Sequence, residues 1–430
     1  MSILRTRPRA GQCVVLSWLV GGSCALTMSL AASGQSSRPA TQPYPSAATR
    51  AWPVFRGDVR NSGVAPEPLP ERLGVRWRRE LGAGISATAA IADGRVFVGD
   101  EDGRLTALAL ADGRVLWQVS GAESVEAPVA VRDELVLWAD SGGTVRAGDA
   151  ATGAVRWTAQ TAGRVMAGPM PEGELVLVGS YDGHLYALRP TDGTVAWKYD
   201  AGERVHGTPA VVGEFAIVAA CDAHLHVLRI ADGAPVRRVA LGSVSGSAAA
   251  VAGDRVVLGT YGQQVVAVDW RRGEVLWRFE DTERGHPFLS SAAVVGSLAV
   301  IGGQDRCVRA LSLTDGRERW RFATKGKIDA SPVIVLNGGT GAPAVRSAGG
   351  PAVGSQPAAA ADDHGDGTPD GRVFFGSADG RAYGVDLRTG AEVWRFDVGG
   401  VVTASPVVAD GCLVLGTAEG VVHCWGEARK

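Results

Sequence analysis

The stretch Ser180-Tyr-Asp-Gly-His-Leu-Tyr-Ala-Leu-Arg-Pro-Thr-Asp-Gly-Thr-Val-Ala-Trp197 decides the fold. Its two Asp-Gly pairs predict tight turns between short strands, because both central positions of such a turn require positive φ. The same pattern returns along the chain, and a repeat of this size indicates a propeller or a solenoid. The clearest copies are Gly103–Trp117, Gly143–Trp157, Gly262–Trp277, Asp305–Trp320 and Gly380–Trp394.

The tryptophan that ends each repeat keeps a fixed spacing. The first four are 40 residues apart, the next position holds Arg237, and a tryptophan returns 40 residues later. The last two intervals are 43 and 74 residues, and the longer one equals one repeat plus an insertion of about 34. A large indole at one fixed place predicts a docking contact between neighbouring repeats. The predicted docking residues are Trp77, Trp117, Trp157, Trp197, Trp277, Trp320 and Trp394.

One full repeat contains four predicted strands. In the first repeat these are Ala87–Ala92, Arg95–Gly99, Leu105–Ala109 and Val115–Val119, separated by Asp-Gly turns. Four antiparallel strands in about 40 residues correspond to one propeller blade.

The ends of the chain predict how the ring closes. Eight fourth strands and eight first strands can be counted, but the last repeat stops at Trp425, after its third strand. The unmatched segment around Trp77, near the start, supplies the missing strand. We therefore predict an all-β, eight-bladed propeller of four-stranded antiparallel blades, closed by an N-terminal strand that completes the last blade.

The N-terminal region predicts export. Residues 1–35 combine arginines, an apolar run and a small-residue end, as in a signal peptide. An uncleaved membrane anchor is the alternative, because the apolar run is nearly long enough to span a bilayer. A lipoprotein signal is poor, since Gly21 stands where a leucine is needed before Cys24. We expect an exported protein that is periplasmic, associated with the outer membrane, or at the cell surface.

The remaining chain divides into three parts. Residues 36–51 are rich in Ser, Pro, Thr and Ala and predict a disordered linker. Residues 52–84 form an N-terminal segment that includes the ring-closing strand and that we expect to pack on the outside or on one face. Residues 85–426 form the propeller, with an insertion at 336–371 in blade 7.

Charge and cysteine usage limit the function classes. The net charge of -2 gives no basis for binding nucleic acid or an anionic membrane surface. The four cysteines after the signal segment, Cys221, Cys307, Cys412 and Cys424, form no CxxC pair, so zinc is not indicated. Cys412 and Cys424 flank the last hairpin turn, and we expect that they could lie near each other across two strands. Both a disulfide between them and isolated buried thiols remain open.

The repeat units ending Ala-Leu-Arg-Pro-Thr-Asp-Gly-Thr-Val-Ala-Trp197 and Gly-Val-Asp-Leu-Arg-Thr-Gly-Ala-Glu-Val-Trp394 resemble the tryptophan-docking repeat of quinoprotein (PQQ-like) propellers. The strand openers Ala-Ser-Pro-Val333 and Ala-Ser-Pro-Val407 do as well. The resemblance extends from about Trp52 to Trp425. It implies one of two branches: PQQ-dependent dehydrogenases, or a non-enzymatic branch typified by BamB, the outer-membrane β-barrel assembly factor.

The chain departs from the enzymatic branch. The resemblance implies, for the enzymes, a ring of two adjacent cysteines over the quinone, and no adjacent cysteines occur here. It also implies calcium ligands and a catalytic Asp from long insertions, whereas most turns here are tight. We therefore expect no catalytic residue and no bound PQQ, although fold alone does not fix function.

The insertion ends in a candidate calcium loop, Asp362-Asp-His-Gly-Asp366-Gly-Thr-Pro-Asp370. Its spacing resembles the calcium loops of integrin-type FG-GAP repeats, in which oxygen ligands converge and a glycine permits the sharp turn. The predicted ligands are Asp362, Asp366, the Thr368 carbonyl and Asp370, in a structural role. His364 is a poor calcium ligand at its place in this pattern, and a solvated acidic loop is the alternative.

Histidines form a second cluster, at His184, His206, His224 and His226. His224 and His226 share one face of a strand, and His184 is the equivalent of His224 one blade earlier. No carboxylate or cysteine at clear spacing completes a tetrahedral metal site. No nucleophile elbow, P-loop or dinucleotide fingerprint is present.

These features predict a monomeric, non-catalytic scaffold that binds other envelope proteins or extended peptides, through strand-joining loops or an outer strand. Membrane contact is expected only through a partner or an uncleaved anchor. A PQQ-dependent oxidoreductase and a calcium-stabilised surface or adhesion module are the alternatives. The breaks in the repeat, at Arg237 and in the insertion ending at Asp370, are further candidates for functional positions.

Overall fold

The computed structural model describes residues 51–121, 123–281, 285–338 and 368–428, and this part of the chain forms 32 β-strands. The strands make eight separate four-stranded antiparallel sheets. Each sheet is one blade of a ring, so the predicted all-β, eight-bladed propeller is confirmed. The calcium residues Asp362 and Asp366 and the predicted signal segment lie outside the described residues.

The strands follow one another in the same order in every blade. Strand β1 (Leu73–Glu80) comes first in the chain. Blade 1 contains β2 (Ala90–Ala92), β3 (Arg95–Gly99), β4 (Arg104–Ala109) and β5 (Val115–Ser120), and blade 2 contains β6 (Ala130–Arg132), β7 (Leu135–Ala139), β8 (Thr144–Asp149) and β9 (Val155–Gln160). Blade 3 contains β10 (Met170–Glu172), β11 (Leu175–Gly179), β12 (His184–Leu188) and β13 (Val195–Asp200), and blade 4 contains β14 (Ala210–Val212), β15 (Phe215–Ala219), β16 (His224–Arg229) and β17 (Pro235–Ala240). Blade 5 contains β18 (Ala250–Ala252), β19 (Arg255–Gly259), β20 (Gln264–Asp269) and β21 (Glu274–Glu280), and blade 6 contains β22 (Ala293–Val295), β23 (Leu298–Gly302), β24 (Cys307–Ser312) and β25 (Glu318–Ala323). Blade 7 contains β26 (Val333–Leu336), β27 (Gly371–Ser377), β28 (Arg381–Asp386) and β29 (Glu392–Asp397), and blade 8 contains β30 (Val407–Ala409), β31 (Cys412–Gly416) and β32 (Val421–Glu427) together with β1.

The inner strands are shorter than the sequence predicts. In blade 1 the first strand covers Ala90–Ala92 rather than Ala87–Ala92. The preceding residues bond between blades instead: the N–H of Val129 donates to the carbonyl of Thr88 at 3.1 Å. These residues are extended, but their partners belong to the neighbouring blade, so they are not strand residues of their own sheet.

Burial follows the position of a strand in its blade. The second and third strands are buried almost throughout, because neighbouring blades cover both of their faces. The outermost strand alternates between exposed and partly buried side chains, as β5 does. Apolar residues on both faces of the middle strands therefore form the core between the blades.

The ring closes in blade 8, where the two ends of the chain meet. Strand β1 pairs antiparallel with β32, from Leu73 opposite Glu427 to Glu80 opposite Val421. This pairing supplies the fourth strand that the last repeat lacks. It leaves no incomplete blade in the ring, as the count of repeats predicts.

The docking tryptophans join each blade to the next. The indole Nε1–H of Trp157 donates to the carbonyl of Pro190 in blade 3 at 2.8 Å. Its ring covers Gly193, where an added methyl group would lie 2.5 Å from Cε3 of the indole. The same carbonyl and glycine contacts recur for Trp77 with Leu110 and Gly113, Trp117 with Ala150 and Gly153, Trp197 with Ile230 and Gly233, Trp277 with Leu313 and Gly316, and Trp320 with Leu387 and Gly390.

Two positions depart from this arrangement. Arg237 is exposed, lies over Gly273 and donates from Nη1 to the carbonyl of Arg272 at 3.3 Å. Trp394 packs edge-on against Trp425 of the closing blade, with ring centroids 5.5 Å apart. The blade at Arg237 therefore keeps the glycine of the docking contact but lacks the indole.

The antiparallel order gives the ring two distinct faces. Turns between first and second strands and between third and fourth strands lie on one side, which we call the floor face. Turns between second and third strands, and the connections to the next blade, lie on the other side, which we call the loop face. The insertion joins β26 to β27 and therefore leaves the ring on the floor face.

Residues 52–69 run across the floor face and bind the inner strands through their main chain. Donor N–H groups of the inner strands bond to its carbonyl oxygens at 2.5–2.9 Å. In blade 3 the equivalent residue is Pro171, which has no N–H to donate. The bonded pairs are Ile91 with Trp52, Val131 with Pro53, Val211 with Val59, Val251 with Arg60, Val294 with Ser62 and Ile334 with Gly63.

Two polar side chains of this segment reach the interior of the floor. Arg56 is 1% exposed and donates from Nη2 to the carbonyls of Ala292 and Pro332, at 3.2 and 2.5 Å. Asn61 donates to the carbonyls of Thr208 and Ala249. The segment therefore covers the floor face and links blades 1, 2, 4, 5, 6 and 7. Among the described residues, no helix combines the length and hydropathy needed to cross a bilayer.

Candidate functional site

The first residue of each loop-face turn is free to vary between blades. Its main chain has the same role in every blade: the N–H donates to a carbonyl of the connection that enters that blade, at 2.8–3.1 Å. The fold therefore requires no particular side chain at this position. In blades 1 to 8 the residues are Glu101, Ser141, Tyr181, Cys221, Tyr261, Gln304, Ala378 and Ala418.

In blades 3, 4 and 5 the side chains at this position line a pocket on the loop face. The pocket has a volume of about 340 Å³. Three successive turn residues contribute to it, and the connections into blades 4 and 5 supply the remainder. Its lining residues are Tyr181, Glu203, Arg204, His206, Cys221, Val244 and Tyr261.

The pocket is preorganised on one side and open on the other. The hydroxyl of Tyr181 lies 2.5 Å from Nδ1 of His206, and the Arg204 guanidinium stands 5.5 Å from the centre of the Tyr181 ring. Tyr261, on the opposite wall, is 48% exposed. The pocket therefore offers a fixed aromatic wall, an exposed aromatic ring and a cation to a ligand that approaches from the loop face.

Burial keeps the uncharged groups of the pocket neutral at physiological pH. It lowers the pKa of His206 and raises the pKa of Tyr181, Cys221 and Tyr261. The neutral imidazole shares a hydrogen bond with the Tyr181 hydroxyl through Nδ1. Charge in the pocket is therefore carried by the exposed side chains of Arg204 and Glu203.

The predicted histidine cluster is divided between different partners. His206 lies in the pocket, whereas the buried His226 places Nε2 3.1 Å from Asp222 and Nδ1 3.1 Å from the Tyr199 hydroxyl. His224 contacts the same carboxylate, and His184 contacts Asp182. Burial lowers the pKa of His226, against the opposing effect of Asp222. In the described part of the chain, no three His, Cys, Asp or Glu residues converge on a common point that could hold a metal ion.

The described part of the predicted calcium loop meets an arginine. The Thr368 carbonyl accepts two hydrogen bonds from Arg388, at 2.9 and 3.1 Å, and a carboxylate oxygen of Asp370 lies 3.1 Å from Nε of the same guanidinium. Two of the four predicted ligands therefore bind a protein cation. Calcium binding by this loop stays a prediction, since Asp362 and Asp366 are not among the described residues.

A second charged cluster on the loop-face side of blade 6 is structural in its contacts. Arg309 is fully buried and binds the carboxylates of Asp281, Asp305 and Glu318. Burial lowers the pKa of the guanidinium, but the hydrogen bond to Asp305 and the nearby charges of Asp305 and Asp281 outweigh it, so the pKa is raised. Each of the three carboxylates binds an arginine of the protein, Arg309 or Arg321, so the contacts of this cluster are structural.

The residues of the loop face do not fit the quinone site that the resemblance implies for the enzymes. That site needs two adjacent cysteines, and the cysteines of the described chain are at 221, 307, 412 and 424, no two of them adjacent in sequence. Cys221 is the one that reaches the pocket. The pocket therefore lacks the pair of thiols that the quinone site of those enzymes requires.

Fold and repeat together define the class: an eight-bladed PQQ-like propeller with tryptophan docking between blades. A family model described as outer membrane protein assembly factor BamB matches residues 74–127, 101–243, 141–277, 202–353 and 329–426, and the chain belongs to this family. No curated protein matches the chain significantly.

Solved structures with the same fold come from different functional classes. BamB from Moraxella catarrhalis superposes with a TM-score of 0.65 at 18% identity, covering 84% of this chain and 99% of that one. The computationally designed protein Ika8 gives 0.62 at 18% identity, with 82% and 99% coverage. The quinohemoprotein alcohol dehydrogenase ADHIIG from Pseudomonas putida HK5 gives 0.65 at 14% identity, with 88% and 81% coverage. At these identities the likeness concerns the fold alone.

Sequence reasoning missed the pocket. Tyr181 lies within a repeat unit, and nothing in the sequence pattern singles out Tyr261 or Arg204. A signal was available, because positions 181, 221 and 261 are 40 residues apart and carry three side chains that differ from those of the other blades.

Proposed function

We propose that this protein is a non-catalytic scaffold of the cell envelope that binds an extended segment of another exported protein on the loop face of blades 3–5. The observation that carries the proposal is the difference between the two faces of the ring. The floor face is covered by the chain's own residues 52–69, whereas the loop face holds an open pocket with exposed charged side chains, Glu203 and Arg204.

The chemistry of the pocket supports recognition of a peptide side chain. A volume of about 340 Å³ is close to the lower limit for small-molecule sites and suits a single large side chain. Tyr181 and Tyr261 offer ring faces and Arg204 offers a cation, and aromatic residues and arginine are the residues most enriched in binding hot spots. An apolar or aromatic side chain next to a carboxylate is the ligand that matches these walls.

Family and sequence support the location. The family model is named for an outer-membrane assembly factor, and residues 1–35 have the pattern of an export signal. A periplasmic or outer-membrane-associated protein would meet segments of its partners in extended form. Such a segment could form main-chain hydrogen bonds with the loop face while one of its side chains enters the pocket.

The experiment compares binding by matched variants of the full chain. The partner recovered from envelope extract with the unmodified protein is purified, and its affinity is measured for Tyr261→Ser, Arg204→Ser and the control Glu101→Ser. Glu101 occupies the same turn position in blade 1, so its replacement tests the turn without the pocket. We expect a loss of roughly tenfold or more for the two pocket variants and little change for the control. Equal affinity for all three variants would refute the assignment of the surface.

A reconstitution experiment separates the scaffold from the enzymatic alternative. The protein is incubated with PQQ and Ca²⁺, and reduction of an electron-acceptor dye is followed with a panel of alcohols and sugars. The scaffold predicts no reduction above that of the cofactor alone. Turnover that depends on the protein would overturn the proposal.

A further inference from the structure

Two cysteines occupy neighbouring strands of the blade that closes the ring. Val414 pairs with Cys424, and Leu413 pairs with Trp425, so Cys412 stands opposite Gly426. Residues two apart in a strand share a face of the sheet, which places Cys412 and Cys424 on the same face as diagonal neighbours. Both residues are fully buried, and their thiol groups interact directly.

The Cys412 thiol also contacts the Asp410 carbonyl at 3.6 Å, and the Cys424 thiol contacts the carbonyl of Trp425 at 4.0 Å. Gly426 has no side chain, so nothing from the directly opposite residue fills the space beside Cys412. Through that space runs Arg76 of β1: a methyl group at Gly426 would lie 2.5 Å from its Cδ, and its Nη1 lies 2.9 Å from Sγ of Cys412. Residues from three adjacent strands, β1, β32 and β31, therefore converge on the Cys412 sulfur.

The fold does not require cysteine at either position. The equivalents of Cys412 in blades 1 to 7 are Arg95, Leu135, Leu175, Phe215, Arg255, Leu298 and Arg372, and the equivalents of Cys424 are Ala107, Ala147, Ala187, Val227, Ala267, Ala310 and Gly384. A small side chain at the second position satisfies the packing. Two thiols meet only in blade 8, where the ends of the chain are joined by hydrogen bonds rather than by a continuous hairpin.

We propose that Cys412 and Cys424 are a redox pair that forms a disulfide between β31 and β32 and thereby fixes the strand onto which β1 closes the ring. This function goes beyond binding at the loop face and does not depend on it. In the folded, reduced protein the Arg76 guanidinium lies against the Cys412 sulfur, and the Cys424 thiol together with Arg76 lowers the pKa of Cys412.

The reaction is thiol–disulfide exchange with an external disulfide as the oxidant. The Cys412 thiolate attacks one sulfur of that disulfide, forms a mixed disulfide and releases one thiolate. Cys424 then loses its proton, attacks the Cys412 sulfur of the mixed disulfide and releases the second thiolate. One S–S bond has formed and one has broken, two electrons have passed to the oxidant, and two protons have left the protein. Both cysteines are buried in the folded ring, so we place the exchange during folding, before β1 has docked.

The test refolds the full chain with oxidised glutathione or with a reducing agent and maps the cysteines by mass. Trypsin releases residues 396–429 as one peptide that contains both cysteines. After oxidative refolding, denaturation and alkylation, we expect this peptide to lack two hydrogens and to take no alkyl group. Cys221, which is partly exposed, should form a mixed disulfide with glutathione and thus shows that the oxidant was active.

Two variants serve as controls. They carry residues that other blades already have at these positions, so we expect them to fold. Cys424→Ala and Cys412→Leu introduce the residues found at these positions in blade 2, Ala147 and Leu135. The equilibrium constant for unfolding of the oxidised unmodified chain should be lower than that of the reduced chain by roughly tenfold or more, and neither variant should respond to the oxidant. Arg76→Ser should leave the rate of disulfide formation unchanged, because Arg76 of β1 reaches the Cys412 sulfur only once β1 has docked. If the peptide from the oxidatively refolded chain is alkylated at both cysteines, the proposal is wrong.

Discussion

Replacing Trp157 by alanine probes the contact that holds neighbouring blades together. The indole is 7% exposed, donates to the Pro190 carbonyl at 2.8 Å and covers Gly193. Burial of about 200 Å² of indole, at about 25 cal/mol/Å², corresponds to about 5 kcal/mol as an upper figure. Because tryptophan-to-alanine changes in packed cores cost about 3–5 kcal/mol, we expect a loss of about 4 kcal/mol in the free energy of unfolding.

The chain contains a matched control for this change. Arg237 occupies the same place in blade 4, but it is exposed and its Nη1 makes a hydrogen bond of 3.3 Å. Arg237→Ala should change the free energy of unfolding by less than about 1 kcal/mol. Arg237→Trp should increase stability, because Gly273 is already present beneath it.

Urea denaturation followed by far-ultraviolet circular dichroism measures these differences. Tryptophan fluorescence, recorded in parallel, shows whether blades unfold separately, which is common in repeat proteins. The reasoning would be refuted if Trp157→Ala and Arg237→Ala had equal effects. It would also be refuted if Trp157→Phe, which keeps a ring but loses the indole donor, were as damaging as alanine.

Three further predictions concern charge. Burial and the nearby Arg78 lower the pKa of His423 to about 4. As the pH falls, the histidine is therefore protonated in the unfolded chain at a higher pH than in the folded chain. Up to about 3 kcal/mol of the free energy of unfolding that is present above pH 6.5 is lost as the pH falls toward 4. His423→Phe should flatten this part of a pH–stability curve measured by urea denaturation, and an unchanged slope would contradict the assignment. Arg309→Leu leaves buried carboxylates without their cation and should lower the free energy of unfolding by about 3–5 kcal/mol at neutral pH. Part of this stability should return in acid, where the carboxylates are neutral. A loss of stability that does not depend on pH would contradict this prediction. Calcium binding by the insertion predicts a Tm that rises with Ca²⁺ in the unmodified chain and does not rise in Asp366→Ala, and a Tm insensitive to Ca²⁺ in both would exclude it.

The ring could be predicted because its causes are local and repeated. Asp-Gly turns fix hairpins within each repeat, and the spacing of the tryptophans counts the blades even where Arg237 interrupts the series. The closing strand could be predicted from the count of strands, because the last repeat lacks its fourth strand and the segment around Trp77 is a fourth strand without a repeat of its own.

The route of residues 52–69 could not be predicted in the same way. This segment has no hydrophobic period, and its bonds to the inner strands use main-chain groups, which leave no trace in residue type. Even the buried Arg56 gives no sequence signal, because an arginine between a phenylalanine and a glycine is more typical of an exposed turn.

The pocket could not be predicted from the repeat pattern, because that pattern describes only what the blades have in common. Tyr181 and Tyr261 occupy turn positions that every blade possesses, and the turn needs only their N–H groups. Their functional interest lies in the difference between blades, which becomes visible once the equivalent positions have been aligned by structure. Arg204 and His206 reach the pocket from the connection into blade 4, and that proximity depends on how the blades stack.

Site-specific photo-crosslinking tests the central claim, that the loop face of blades 3–5 is the binding surface, most directly. A photoreactive amino acid is placed in the full chain at position 261 on the loop face, 214 on the floor face, or 155 on an outer strand, all three of which are exposed. After irradiation in intact envelopes, adducts are detected by size and identified by mass. We predict a discrete protein adduct at position 261 and none at 214 or 155. No adduct at 261, or a stronger one at either control position, would contradict the claim.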